Sequence, residues 1–253
     1  MTGSLGLTVG DSLDRLAATT AAVDFAELSI GDDTAVGPGD VDRIESAFEA
    51  TSLDPFVHLP FEQVVATGVP ELDEAIVTYQ SRLLEFAGTV GAEKAVLHGT
   101  VRLTQDTDLR PIFVDQLAAI DAAADAEGVE LVVENVGHQA RGLPLSVLGD
   151  LADEAGTAVC FDVGHAYVED GADGIDRFLS AYADSISHLH VHDVRGRGDT
   201  HLPVGAGEIA FDPVAEPLTD FDGSIAIEVF TDDSKLLEDT VSRVRALFQT
   251  AEA

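Results

Sequence analysis

Eight short apolar runs, each followed by a longer amphipathic segment, limit most sharply what this chain can fold into. The runs are Leu5 to Val9, Phe25 to Ile30, Pro55 to Leu59, Ala95 to His98, Glu130 to Glu134, Ala158 to Asp162, Ile186 to Val191 and Ser224 to Val229. Helical periodicity follows at Asp11 to Ala22, Val41 to Ala50, Glu71 to Ala87, Pro111 to Ala126, Leu145 to Glu154, Gly174 to Ala183, weakly near Asp212 to Leu218, and at Asp232 to Phe248. The run Glu130-Leu131-Val132-Val133-Glu134 is nearly continuous in apolar character, as a strand covered on both faces should be. Strand then helix, eight times over, predicts an α/β fold, a single (β/α)8 TIM barrel. The 253 residues suit one such domain over 1–253, and no Pro, Gly or Ser-rich linker divides them.

Composition bounds the setting. A 45% hydrophobic content argues for a packed core and against disorder. No apolar run approaches the ~20 residues that span a bilayer, and the first 25 residues lack a basic start and an apolar stretch, so a cytoplasmic protein with no membrane partner is expected. Oligomeric state is left open. Acidic side chains number 47 against 13 basic, for a net charge of -34, and lysine occurs only at Lys94 and Lys235. The acids are dispersed, which reads as a halophilic surface: at ~1 M salt the screening length falls to ~3 Å and self-repulsion is largely removed. Such a surface also disfavours nonspecific DNA binding. The lone Cys160, between Val159 and Phe161, reads as a core residue.

In a barrel of this kind, chemistry sits where strands end and loops begin. His58, His98, Glu134, Asp162, His190 and Glu228 lie at or near the ends of six consecutive predicted strands. All eight histidines, including His138, His165, His188, His192 and His201, fall at or after such ends, and none lies in a predicted helix. Imidazole and carboxylate together suit zinc, manganese or cobalt, whereas carboxylates and water alone would suit magnesium. In Asp162-Val163-Gly164-His165 the glycine permits a tight path that turns both end residues toward one centre. In His188-Leu189-His190-Val191-His192 alternation puts three imidazoles on one face. His188, the deepest, is expected to pack or hydrogen-bond; alternation leaves open which of His190 and His192 binds metal. Arg102, Arg110, Arg141, Arg195 and Arg197 all fall in loops after strands, and their planar forks suit an anionic substrate. The alternative is pairing with Asp106, Asp108 and Asp199.

The strings Val133-Glu134-Asn135, Phe161-Asp162-Val163-Gly164-His165, His190-Val191-His192-Asp193, His201-Leu202-Pro203-Val204-Gly205-Ala206-Gly207 and Ile227-Glu228 resemble the xylose isomerase-like barrels, in the correct order over roughly residues 55 to 230. That superfamily contains sugar and sugar-phosphate isomerases and epimerases and the endonuclease IV type of abasic-site nuclease (AP endonuclease family 2). The resemblance implies a divalent metal held by Glu134, Asp162, His190 and Glu228, zinc or manganese foremost, with His165 beside the substrate and His190 preferred to His192. In the endonuclease branch further ligands match His58, His98, His165, Asp199 and His201, so one to three ions are implied. For an isomerase, Glu134 and Glu228 would move the proton, His165 would orient a hydroxyl, and Arg102, Arg141, Arg195 and Arg197 would bind an anionic or sugar substrate. For a nuclease, DNA would be the partner. A noncatalytic metal-binding barrel is a third reading, opposed by intact Glu134 and Glu228. The sugar branch is favoured because His190-Val191-His192-Asp193-Val194-Arg195-Gly196 lacks the Asn and Ser-Lys of the endonuclease pattern, and because no basic residue follows in His58-Leu59-Pro60-Phe61-Glu62-Gln63.

Overall fold

A computed structural model of the chain describes residues 3–248, apart from 20, 33 and 197. The predicted strands appear as β1 (Leu5–Gly10), β2 (Phe25–Ser29), β3 (Asp54–His58), β4 (Lys94–His98), β5 (Glu130–Glu134), β6 (Ala158–Asp162) and β7 (Ile186–Val191), completed by β10 (Ser224–Ile227). These eight pair in parallel and close, β7 bonding to β10 and β10 to β1. Two further strands, β8 (Asp193–Arg195) and β9 (Gly198–Leu202), form an antiparallel hairpin above the rim, in a segment that the alternation of apolar runs does not mark. The helices are α1 (Leu13–Ala18), α2 (Val41–Thr51), α3 (Pro70–Thr89), α4 (Leu109–Ala126), α5 (Leu145–Ala155), α6 (Val163–Tyr182), α7 (Asp212–Ala215) and α8 (Ser234–Phe248). Among the described residues, no helix is long and apolar enough to cross a membrane.

Along each strand side chains alternate in direction, and this period of two builds the site. Outward residues such as Leu131, Val133, Val159, Phe161 and Leu189 join the large core beneath the helices. Inward residues form a floor in two patches: Phe25, Phe56 and Ala226, and Val96, Val132 and Cys160. Phe25 and Phe56 stack with ring centroids 3.9 Å apart. Cys160 is fully buried in this floor, and burial pushes its thiol far above the ordinary range, so it is packing and not a reactive group. Two residues beyond each floor residue stands a polar one: Glu27 after Phe25, His58 after Phe56, His98 after Val96, Glu134 after Val132, Asp162 after Cys160 and Glu228 after Ala226. The floor excludes water, and the layer above it carries the chemistry.

The start of α6 departs from the sequence expectation. Helical periodicity is legible only from Gly174, yet the helix begins at Val163, so His165 lies in its first turn and not in a loop. A break at Gly171 (φ 70°, ψ -166°) separates the two helical pieces and interrupts the periodic signal. Asp162 is the N-cap, its Oδ1 accepting from the His165 backbone N–H at 2.6 Å, which leaves Oδ2 for the rim. Gly164 has a different role from the expected tight path. A Cβ there would lie 2.1 Å from Cε1 of His192, so the missing side chain makes room for that imidazole.

Candidate metal centre

Glu134, at the end of β5, is the hub. It is 1% exposed, and its Oε2 lies 3.3 Å from His58 Nε2 and 3.0 Å from His98 Nε2, while its Oε1 lies 3.2 Å from both His165 Nδ1 and His190 Nδ1. His190 Nδ1 also faces Glu228 Oε2 at 3.3 Å and Asp162 Oδ2 at 3.8 Å. Glu134, Asp162, His190 and Glu228 thus each offer one donor atom, all within 4.8 Å of one another. Three more sets share this property: His58, His98 and Glu134 on one side, His165, His192, Asp199 and His201 on the other, and Cys160, His188 and His190 deeper in the barrel. The structure therefore brings together every residue that the resemblance implied as a ligand. It separates the two histidines that alternation could not: His190 belongs to the central set and His192 to the flanking one.

What lies behind each imidazole fixes which nitrogen faces the cluster. A carbonyl only accepts, so Nδ1–H of His58 donates to the Leu59 carbonyl (2.8 Å), that of His165 to Asn135 (3.1 Å), that of His192 to Asp193 (3.5 Å) and that of His201 to Glu228 (3.2 Å). Each Nε2 is left with a lone pair aimed at the rim. His190 is reversed: its Nε2–H donates to Glu27 Oε2 (3.1 Å), leaving Nδ1 for Glu134, Asp162 and Glu228. Such outer partners orient metal-bound histidines.

Glu27 was not singled out by sequence, where it is one acid in Phe-Ala-Glu-Leu-Ser; the available signal was a charge in the middle of an apolar strand. It also accepts from His188 Nε2 (3.2 Å), whose Nδ1 lies 2.7 Å from Ser224 Oγ, so His188 is the hydrogen-bonded core residue expected. Asn135 went unassigned as well. Its side chain clamps the Asp162 backbone from both sides, accepting from N–H (2.7 Å) and donating to the carbonyl (2.9 Å). Asp193 is the third. Its carboxylate accepts from the backbone N–H groups of Val194, Gly205, Gly207, Glu208 and Ile209, which folds the Gly205-Ala206-Gly207 loop against the rim.

The electrostatics suit a cation. Burial opposes charge on Glu134, but His190, His98 and His165 outweigh it and hold the carboxyl well below its usual range. Glu27, Asp162 and Asp199 are lowered too, burial being overcome by the imidazoles around each. Burial would lower His58, His165 and His190, yet neighbouring acids raise all three, and His201 rises to about 9 beside Asp199 and Glu228. His98 is lowered by burial. Asp162 Oδ2, His192 Nε2 and Glu228 Oε2 are buried with no hydrogen-bond partner among the described residues. Imidazole lone pairs 3 to 4 Å from carboxylate oxygens repel unless protons or a cation lie between them. A mixed His and carboxylate set of this geometry fits a divalent transition ion.

Arg102, Arg141 and Arg195 are exposed and Arg110 is half-buried. Arg102, Arg110 and Arg141 form no ion pair with any described residue, so the expected alternative of pairing with Asp106, Asp108 or Asp199 is absent there. Arg195 instead donates to the Ala206 carbonyl, holding the loop, and Arg197 lies outside the described residues.

A closed (β/α)8 barrel with a His, Asp and Glu cluster at its carboxyl rim is the architecture of barrels that do chemistry at a rim-bound cation. The chain belongs to the xylose isomerase-like TIM barrel family, whose profile matches residues 15–249. It is 31% identical over 121 residues to the uncharacterized protein MJ1311 of Methanocaldococcus jannaschii, a match covering 44% of this chain and less than half, 41%, of that one. Among solved structures it is similar to a D-tagatose 3-epimerase-like protein (TM-score 0.75, 20% identity, 96% of this chain and 98% of that one). It is also similar to D-psicose 3-epimerase of Clostridium cellulolyticum H10 (TM-score 0.78, 13% identity, 98% and 100%). At these identities the likeness is one of fold.

Proposed function

We propose that this protein is a divalent-metal-dependent isomerase or epimerase of a sugar or sugar phosphate. The observation that carries the reading is the pair Glu134 and Glu228, two carboxylates from different strands that approach the same His190 nitrogen at 3.2 and 3.3 Å. Glu228, its side chain 14% exposed, reaches the mouth, whereas Glu134 is sealed beneath it. A bound ion, held by Glu134, Asp162, His190 and Glu228, would supply Lewis acidity that lowers the cost of removing a proton from a substrate carbon. One carboxylate oxygen takes that proton and the other carboxyl returns one, which inverts the carbon when the two act from opposite sides. His165, its Nε2 turned toward the rim, orients a substrate hydroxyl. The unpaired Arg102 and Arg141 favour an anionic group on the substrate. Similarity to proteins named as tagatose and psicose 3-epimerases supports the same class.

A second reading, a metal-dependent abasic-site phosphodiesterase with DNA as partner, is favoured by one observation, the two flanking ligand sets beside the central one. A paired assay at high salt separates them: a panel of ketoses and their phosphates against nicking of abasic duplex DNA. The sugar reading expects turnover of at least one ketose, abolished by Glu134→Gln or by Glu228→Gln. Nicking without sugar turnover selects the second reading.

A further inference from the structure

We infer that Arg141 selects the substrate, and that the substrate is an open-chain ketose bearing a phosphate monoester, held with its phosphate in a cavity beside His98 and its carbonyl end toward the central donor set. That choice of substrate rests on the isomerase reading and narrows it, from sugar or sugar phosphate to the phosphate alone, and from several arginines to one.

Cations are scarce in this chain, 13 against 47 acids, and most have a partner. Arg43, Arg82, Lys94, Arg177 and Arg243 pair with acids, and Arg15, Arg195 and Arg245 donate to backbone carbonyls. Among the described residues three arginines do neither: Arg102, Arg110 and Arg141, all between β4 and α5 in the chain. Of these, Arg141 lines a cavity of about 740 Å³ that opens to solvent, together with Phe61, Glu62, Thr100 and Gln139. The cavity adjoins the rim. The ring of Phe61, a residue 57% exposed, lies 6.2 Å from that of His98, and His98 Nε2 lies 3.0 Å from Glu134 Oε2.

The walls are three rim segments tied by backbone hydrogen bonds, each 2.9 Å: Val65 N–H donates to the Thr100 carbonyl, Arg102 N–H to Ala66, Val101 N–H to Arg141 and Leu143 N–H to Gly99. Short bridges pair Ala66 with Val101 and Thr100 with Gly142. Gly142 leaves the room that this path needs, since a Cβ there would run into the Val136 carbonyl. The backbone of Arg141 is thus fixed, while its exposed guanidinium keeps all its donors free of protein partners. A planar fork on a fixed base suits two-point binding of phosphate, and the fixed base lowers the entropic cost of holding it.

Glu62 lines the same cavity, yet it forms no ion pair with Arg141. Its charge opposes a phosphate dianion, but at ~1 M salt the screening length is only ~3 Å, which confines the repulsion to close range. A cavity made for a neutral sugar would instead use Glu62 as a hydroxyl acceptor. The sign of the Glu62 effect therefore separates the two.

The test uses the whole protein reloaded with manganese, at high salt, and calorimetric titration with D-ribitol 5-phosphate, D-glucitol 6-phosphate, the two free polyols and an abasic DNA duplex. A polyol has no carbonyl to isomerise, so binding is read apart from turnover, and failure of the phosphate subsite and failure of the isomerase reading are separate results. The unaltered chain should bind at least one of the phosphates about tenfold or more tightly than its free polyol, as charged hydrogen bonds warrant. Arg141→Met should remove that preference and leave binding of the free polyol as it was. Because the Arg141 side chain has no polar partner in the protein, this variant should fold, which circular dichroism checks. Arg177→Met deletes the same charge where it pairs with Asp170 on α6, and it should keep the preference. Glu62→Gln should tighten binding of the phosphate by about twofold, the scale of an exposed charge pair. No preference in the unaltered chain, a preference that survives Arg141→Met, or weaker phosphate binding in Glu62→Gln overturns the proposal. So does binding of the abasic duplex that Arg141→Met abolishes without any polyol preference, which would give the cavity to a phosphodiester backbone.

Discussion

Glu27 shows how much a residue without a place at the mouth contributes to what happens there. It is 2% exposed in the barrel interior and accepts from both His188 and His190, so it fixes the ring of His190 with Nδ1 toward the carboxylates of Glu134, Asp162 and Glu228. Glu27→Gln keeps the shape but not the charge, and metal affinity at the central set should fall about 10- to 100-fold, read by competition with a chelator. Unchanged affinity would remove Glu27 from the account. At the opposite end of the barrel, Lys94 donates to Glu130 at 2.6 Å and to Ser187. Burial would raise the Glu130 carboxyl, but Lys94 and Ser187 lower it below its ordinary value. A depressed folded value gives stability that is present above the ordinary carboxyl pKa and lost as pH falls through the folded one. Because Glu130 is half exposed, the effect should be under ~1 kcal/mol. Urea midpoints of the unaltered chain and Lys94→Met should therefore differ at pH 7 and converge near pH 3; a gap that persists in acid contradicts this. Residue by residue, the candidate ligands are legible because His, Asp and Glu at strand ends are visible in order. Glu27, Asn135 and Asp193 were not, because what marks them is chiefly contact with groups 12 to 163 positions away.

At the scale of elements, the eight apolar runs set the barrel, and their alternation set which side chains meet at its centre. The β8–β9 hairpin escaped because Gly-Asp-Thr-His-Leu is short, polar and lacks alternation, and the first turn of α6 escaped because Gly171 interrupts its period. What holds the hairpin and the following loop is side-chain capture of backbone. Asp193, fully buried, satisfies five backbone N–H groups at 2.7 to 3.0 Å. Asp193→Ala leaves those donors without their acceptor, and the expected cost is about 3 kcal/mol or more, since charged hydrogen bonds contribute ~1.5–3 kcal/mol each. Hydrogen exchange should localise the loss to residues 193–209, with the floor strands protected as before. Uniform loss of protection across the barrel would show that Asp193 serves the fold as a whole.

For the whole molecule, two facts stand side by side: a net charge of -34 spread over the surface, and a rim where acids and imidazoles are gathered at ion-pair distances. The first makes stability depend on salt. Raising potassium chloride from about 0.1 to 2 M contracts the screening length from ~10 Å to under 3 Å. A relief of several kcal/mol, at ~2–4 °C per kcal/mol, should raise Tm by roughly 10 °C; a flat or falling Tm would contradict a surface adapted to salt. The second concentrates the account into one geometric claim, that four strand ends converge on a cation. The most direct test is an anomalous difference map from crystals grown with zinc or manganese at high salt, recorded at that metal's absorption edge. The account predicts a peak within about 2.0–2.3 Å of Glu134, Asp162, His190 Nδ1 and Glu228 together. A map with no peak among those four residues would contradict it.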